Sequence, residues 1–328
     1  MKKKLLSLCE IADREAASRI EKFYDVTTLA LKDEESLLAA IPPYDAVIVP
    51  YTVNKLVTER VIDAAPNLKL IASSYGGTRQ NIADIYAIEK GIAVIHTGAS
   101  RERPMAEYTL ALTLCSLMRI NNYHADMTLG GEAWPRTKYP RSRILHGRSV
   151  AVIGYGRIGK AIIDLFRCFT DKLSVVSKHL TAEKAAAEKL RKMELTEAFA
   201  ENEIIILAGG STPDTYHMVG EKQFAAMQEQ ALFVNIARGV MVDQQAMIRM
   251  VQSRNIFLAL DVFENEPLEA DSPLRKNERV LITPHRANNP IEFEERWKCL
   301  AADIECFAAG GTPDSQLTVE RAKVMSES

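Results

Sequence analysis

Val150-Ala151-Val152-Ile153-Gly154-Tyr155-Gly156-Arg157-Ile158-Gly159 is the stretch whose reading decides the fold. Four apolar residues read as a buried parallel strand and run into G-x-G-x-x-G, after which the spacing predicts a helix over residues 160–169. Gly154 permits the tight strand-to-helix turn, Gly156 lets the backbone approach a pyrophosphate, and Gly159 lets the helix pack closely on the strand. The helix N-terminus then offers unpaired N–H groups and partial positive charge to phosphates. G-x-G-x-x-G alone is a weak signal, since glycine-rich turns arise by chance. The strand before it and the helix after it supply the missing context. Gly154, Tyr155, Gly156, Arg157, Ile158 and Gly159 are therefore expected to bind a dinucleotide.

Downstream, residues 173–176, 203–207, 231–236, 257–262 and 279–283 read as further strands, and residues 181–193 read as helical. With the fingerprint strand they make six, the pattern of a doubly wound sheet. Upstream, residues 5–8, 45–49, 68–72 and 92–95 read as strands, separated by helical spacing over 10–20, 54–64 and 82–90. That alternation predicts a second parallel sheet covered on both faces. Pro104 stands at the first turn of a long apolar helix over 105–118, where its missing N–H has no helical partner to lose. A helix apolar on most sides should be buried, between domains or between subunits. A polar segment, 121–148, then leads into the second sheet. The helical stretch near 290–308 has no following sheet and is expected to return to the first domain. The tail after Gly311 reads as loosely held.

The chain has 328 residues, enough for two domains, and is 47% hydrophobic and 26% charged, as soluble globular proteins are. A net charge of -2 argues against a nucleic-acid partner. Cys9, Cys115, Cys168, Cys299 and Cys306 are scattered, odd in number and without C-x-x-C spacing, which predicts reduced thiols in the cytoplasm and no metal site. The start, Met1 to Cys9, has too short an apolar run for a lipoprotein signal and reads as a first strand. No segment has the length of a membrane span.

Four further motifs carry a resemblance. Leu145-His146-Gly147-Arg148-Ser149 precedes the fingerprint; Asn235-Ile236-Ala237-Arg238-Gly239 is followed by Val242-Asp243; then come Ala259-Leu260-Asp261-Val262-Phe263-Glu264-Asn265-Glu266-Pro267 and Leu281-Ile282-Thr283-Pro284-His285. In this order and spacing, over residues 40 to 310, the chain resembles the D-2-hydroxyacid dehydrogenase (D-isomer specific 2-hydroxyacid dehydrogenase) family. The resemblance implies an α/β protein of two domains, a Rossmann-type doubly wound parallel sheet inserted into a flavodoxin-like substrate domain. The substrate (catalytic) domain would comprise 1–100 and 287–328. The NAD(P)-binding domain would be 101–286, with 104–130 a linking helix. It further implies a homodimer with its interface around the helix 105–118, and hydride transfer between a nicotinamide and a small 2-keto or 2-hydroxy acid of D handedness. Formate and phosphite dehydrogenases and nucleotide-sensing corepressors share this scaffold, so another small anion or a sensor without turnover stays open.

Reduction of a 2-keto acid needs a cation for the substrate's oxygens, a proton donor, and a group that fixes the donor's tautomer. Arg238 suits the first, because a guanidinium is always charged and grips two oxygens in a fork. His285 suits the second, because histidine exchanges protons near neutrality. Glu266 suits the third, because a carboxylate against the imidazole fixes which nitrogen faces the substrate. All three follow strand ends, whereas His96, His124, His146, His179 and His217 read as structural or merely exposed. By resemblance the substrate carboxylate also meets backbone N–H groups of Tyr75, Gly76, Gly77 and Thr78, adjacent glycines being what an anion nest requires. Arg101 and Arg103 stand where small or polar residues are usual; a substrate with a second acidic group would suit them, though solvated surface charge is the plainer reading.

An NAD site usually has Asp or Glu about 20 residues past the fingerprint to hold the ribose hydroxyls. Here Ser177, Lys178 and His179 stand there, which favours NADP over NAD because no carboxylate repels a 2′-phosphate. Asp261 is expected at the nicotinamide carboxamide, with Thr212, Thr215, Ile236 and Ala237 lining the cofactor. Ala208-Gly209-Gly210 replaces the family's usual H-x-P.

Overall fold

Two separate parallel sheets account for the two sets of apolar runs. The computed structural model describes residues 2–52 and 54–323. The chain divides into two compact units, one made of residues up to Arg101 together with those from Ile291 onward, the other of Glu102–Pro290.

The first unit is built on β1 (Lys3–Ser7), β2 (Tyr24–Thr28), β3 (Ala46–Val49), β4 (Leu70–Ser73) and β5 (Ala93–His96), in the order β2-β1-β3-β4-β5. This is the flavodoxin-like order. Pairing is parallel throughout, with Leu5 opposite Ala46, Ala46 opposite Leu70 and Leu70 opposite Ala93. Every residue of β3 and β4 is buried, so both faces are covered and the strands read as continuous apolar runs. β2 is an edge strand with only Tyr24 buried; its sequence Tyr-Asp-Val-Thr-Thr hides it from a reading based on apolar runs.

The helices Arg14–Glu21 and Arg296–Ala308 cover one face, where Ile20, Trp297, Leu300 and Ile304 pack on Leu5, Ile48, Leu70 and Ile95. Asp13 caps the first helix by accepting from the Ala16 amide, worth about 1 kcal/mol. Arg19 and Glu305 join the two helices. The C-terminal helix thus returns to the first sheet. The expectation of a loose tail is corrected: Leu317 and Ala322 are buried against the other face, and the Leu317 amide donates to Val94 O at 2.9 Å. They join Leu37, Val61, Ile82 and Ala87 in one apolar cluster on that face.

The second unit holds seven strands, not the expected six: β6 (Val150–Ile153), β7 (Leu173–Val176), β8 (Arg191–Lys192), β9 (Ile204–Leu207), β10 (Leu232–Asn235), β11 (Phe257–Leu260) and β12 (Val280–Ile282). The order is β12-β11-β10-β9-β6-β7-β8. Residues 181–193 are not one helix. The helix Ala182–Ala187 ends at Glu188, Lys189 takes φ 56°, and Arg191–Lys192 pair with β7. Both β8 side chains face solvent, so no apolar pattern announces the strand. The strand order reverses beside β6, whose neighbours are β7 and β9. In such sheets ligands bind beyond the carboxyl ends of the strands at the reversal.

The long apolar helix spans Glu102–Met118, and Met105, Ala106, Leu112 and Leu117 enter the core with Val150, Val152, Leu232 and Phe257. Its buried Thr109 and Thr113 hydroxyls donate to the carbonyls of Met105 and Thr109. It breaks at Arg119, which has φ 56°, and a second helix, Ile120–Thr128, occupies part of the stretch read as polar connection. Residues 104–130 are therefore two helices. Among the described residues, no helix is long and apolar enough to cross a membrane.

Candidate active site

Gly154 ends β6 with φ 106°, and a Cβ there would lie 2.6 Å from Gly209 Cα. A Cβ on Gly159 would lie 2.1 Å from Gly154 O, so the helix Arg157–Phe166 starts directly against the strand's exit. Around the Cβ position of Gly156 there is open space, and no side chain caps the helix that this residue begins. Its first amides thus have no helical acceptor and face outward at the positive end of the macrodipole. The intervening side chains are tied aside, Tyr155 OH to Glu188 and Arg157 Nε to Glu102. Burial, reinforced by Glu188, raises the Tyr155 phenol well above its usual range. An open amide cradle with its side chains held away fits a pyrophosphate.

β7 delivers Ser177, Lys178 and His179 to the same sheet edge, the last two exposed. Ser177 Oγ accepts from the His179 amide at 3.2 Å, and Lys178 Nζ lies 4.0 Å from Asp214. After β9, the Thr215 hydroxyl donates to Gly210 O and Thr212 O and accepts from the Thr212 amide, so Thr215 shapes this loop from within.

After β10, Asn235 Oδ1 accepts from the Ala237 amide and Asn235 Nδ2 donates to Arg238 O, which sets the turn carrying Ile236, Ala237 and Arg238. Ile236 and Ala237 are buried, and Arg238 Nη1 donates to Ala237 O at 2.8 Å. Gly239 then brings this turn against the backbone of Phe263 and Glu264 beyond β11.

His285 and Glu266 meet. His285 Nδ1 lies 2.7 Å from Glu266 Oε2, and the other carboxylate oxygen accepts from the Phe263 amide at 3.0 Å. An ionised carboxylate only accepts, so Nδ1 carries the hydrogen and Nε2 is left for another partner. His285 sits at φ 52°, its amide donating to Asp261 O. Asp261 is 0% exposed, and its carboxylate accepts from Thr283 Oγ1 and from the amides of Arg286 and Ala287. What the structure shows Asp261 doing is pinning the turn that presents His285. Tyr108 reaches the same cluster, its phenol raised first by burial.

A second histidine–carboxylate pair, which sequence reasoning missed, lies close by in the chain. His217 Nε2 is 2.6 Å from Glu264 Oε1, and the imidazole stacks on Tyr216 with ring centroids 4.0 Å apart. Glu264 Oε2 also accepts from the Gln244 amide, so the pair ties the 213–217 loop to the segment bearing Glu266. Glu264 within the A-x-D-V-F-E motif was the available signal, but its partner stands 47 residues away.

In the first unit, Ser73 Oγ donates to Tyr75 O and Gly77 O and so folds the Tyr75–Thr78 turn. The amides of Gly76 and Gly77 have no acceptor among the described residues. The Thr78 side chain is turned inward, donating to Asp84 at 2.7 Å. Arg101 is not the solvated charge its position suggested. Its guanidinium lies 3.8 Å from the Tyr75 ring centroid and 5.1 Å from that of Phe293, directly over Gly76. Arg103, by contrast, is exposed and pairs with Glu107.

Residues 110–287 match the family described as D-isomer specific 2-hydroxyacid dehydrogenase, NAD binding domain. The chain is 31% identical to the glyoxylate reductase of Thermofilum pendens over 94% of its own length and 92% of that protein. It is 30% identical to the D-3-phosphoglycerate dehydrogenase of Mycobacterium leprae, of which it spans 58%. The solved PH0520 protein of Pyrococcus horikoshii superposes with a TM-score of 0.81 at 27% identity, covering 99% of this chain and 100% of that one.

Proposed function

The chain belongs to the D-isomer specific 2-hydroxyacid dehydrogenase family, and we propose that it is a reductase of small 2-keto acids that prefers NADPH and uses His285 as proton donor. The observation that carries this reading is the 2.7 Å contact between His285 Nδ1 and Glu266. With Nδ1 committed to a carboxylate that the Phe263 amide holds in place, Nε2 is the nitrogen that gives its proton to the keto oxygen. A nicotinamide cofactor held at the glycine loop would supply the hydride for the carbonyl carbon. Arg238 grips the substrate's carboxylate and carbonyl oxygens and stabilises the charge that develops there. The amides of the Tyr75–Thr78 turn receive the carboxylate. Asp261 acts through the turn it pins and keeps His285 in register.

Gly154, Tyr155, Gly156, Arg157, Ile158 and Gly159 would hold the cofactor's pyrophosphate, while Thr212, Thr215, Ile236 and Ala237 line its path. Ser177, Lys178 and His179 would take a 2′-phosphate; the carboxylate nearest Lys178, Asp214, is held by a long and exposed contact, which argues for little repulsion. D handedness of the product and a homodimer are family expectations, and the scattered, odd-numbered cysteines favour the cytoplasm. Glyoxylate belongs at the head of the substrates to try, given the similarity to a glyoxylate reductase.

Steady-state assays with NADPH and NADH across a panel of 2-keto acids test the proposal. We expect turnover of at least one panel member and kcat/KM about tenfold higher with NADPH. Cofactor binding without turnover of any member would overturn the catalytic reading, and a tenfold preference for NADH would overturn the cofactor choice.

A further inference from the structure

The second unit contains a cavity that the dehydrogenase chemistry does not use. It lies where the helix Glu102–Met118 breaks at Arg119, has a volume of about 40 Å³, and is lined by Ser116, Arg119, Arg141, Arg143, Gln230 and Phe257 among others. None of its lining residues is acidic. Arg119 is only 7% exposed, and its Nη1 is buried without a hydrogen-bond partner. Ser116 is 9% exposed, and its Oγ is also buried without a partner. The two guanidinium groups of Arg119 and Arg143 share one aromatic wall, 4.9 and 5.1 Å from the centroid of Phe257.

Such an arrangement is costly if nothing completes it. A buried charge without an acceptor loses its hydration and gains no hydrogen bond in return, and two like charges on one ring repel each other. Stacking on Phe257 and Tyr139 offsets part of this for Arg119. It supplies no acceptor for Nη1. Burial, with Arg148 and Arg119 nearby, lowers Arg143 to about 10. The one carboxylate felt there, Glu203, is engaged by Arg148. A hydroxyl and converging guanidiniums around a space of this size want several acceptor oxygens carried by a single negative group.

We propose that this cavity is a binding site for one small inorganic oxyanion of the phosphate or sulfate class, held by Arg119 and Arg143 with Ser116 donating from the last turn of the helix. The volume suits the oxygens of a compact ion, a void of 10–15 Å³ by the same measure holding about one water. Bound there, the ion fixes the joint between the helices Glu102–Met118 and Ile120–Thr128. The site is independent of the glycine loop and of the His285–Glu266 pair.

Isothermal titration of the full chain with inorganic phosphate and with sulfate tests this, at constant ionic strength set with chloride and with nicotinamide cofactor at saturation so that the glycine loop is filled. The expected result is one ion bound per chain. Affinity should fall about a hundredfold in Arg143→Gln, which removes a full charge, and about tenfold in Ser116→Ala, which removes one uncharged donor to the ion. Ser116→Ala removes a single hydroxyl, so its far-UV circular dichroism and melting temperature without phosphate should match the parent chain and show that folding is intact. Failure of both ions to bind the parent chain would overturn the proposal, as would binding undiminished in both variants. A further overturning result is loss of oligomer in Arg143→Gln, by light scattering, with no phosphate binding to the parent; the cations would then serve a carboxylate from a second copy of the chain.

Discussion

Gly239 and Phe263 meet backbone to backbone: a Cβ on Gly239 would lie 1.8 Å from the carbonyl carbon of Phe263 and 2.3 Å from the Glu264 amide nitrogen. This contact presses the turn bearing Arg238 against the segment that carries Glu266. No flexible side chain stands there to yield. Gly239→Ala should therefore push the two segments apart, destabilise the protein by about 1–3 kcal/mol in urea unfolding, and lower kcat. Unchanged stability and turnover would mean that the turn does not depend on this approach.

Asp261 yields a second prediction. It accepts three hydrogen bonds from the 283–287 segment. In Asp261→Asn one of the two side-chain positions becomes a donor facing a donor, which should cost about 1–3 kcal/mol of stability. The effect on catalysis should fall on kcat, with the cofactor Kd changed much less, because the segment presents His285. A variant defective mainly in cofactor affinity would instead assign Asp261 to the nicotinamide itself.

Arg101 covers Gly76 and stacks on Tyr75 in the turn proposed to receive the substrate carboxylate. Arg101→Met should raise the KM for 2-keto acids by about tenfold or more and leave the cofactor Kd unchanged, as loss of a charge-assisted contact does. A KM within twofold of the parent value, measured with the best substrate of the panel, would remove Arg101 from the site.

Thiol reactivity tests the packing of the first unit. Burial raises the Cys9 thiol above its ordinary value, against smaller lowering effects of Ser74, Ser7 and Arg296. A raised value leaves less thiolate at any pH below it, so Cys9 should react with Ellman's reagent at pH 8 well after exposed Cys168. Mass spectrometry of the partly labelled protein identifies the order; labelling of Cys9 as early as Cys168 would contradict this packing.

Apolar periodicity sufficed for the central strands because parallel strands covered on both faces must be continuously apolar, as β3, β4, β6 and β9 are. The edge strands β2 and β8 escaped it because most of their side chains face water. The break at Arg119 escaped too, since a left-handed residue between two helical patterns leaves no mark in their spacing. Arg238, Glu266 and His285 stood out as candidates because each follows an apolar run, and a parallel sheet sends all such exits to one edge. The pinning of the His285 turn by Asp261, the His217–Glu264 pair and the stacking of Arg101 on Tyr75 depend on residues far apart in the chain. No local pattern encodes them.

The central claim is that His285 gives the proton. Single-turnover reduction of the best 2-keto acid by His285→Gln, with cofactor affinity measured on the same protein, tests it most directly. The account predicts a rate about 10²–10⁴-fold below that of the parent chain with the cofactor Kd unchanged. A His285→Gln protein that keeps most of the parent rate would contradict it.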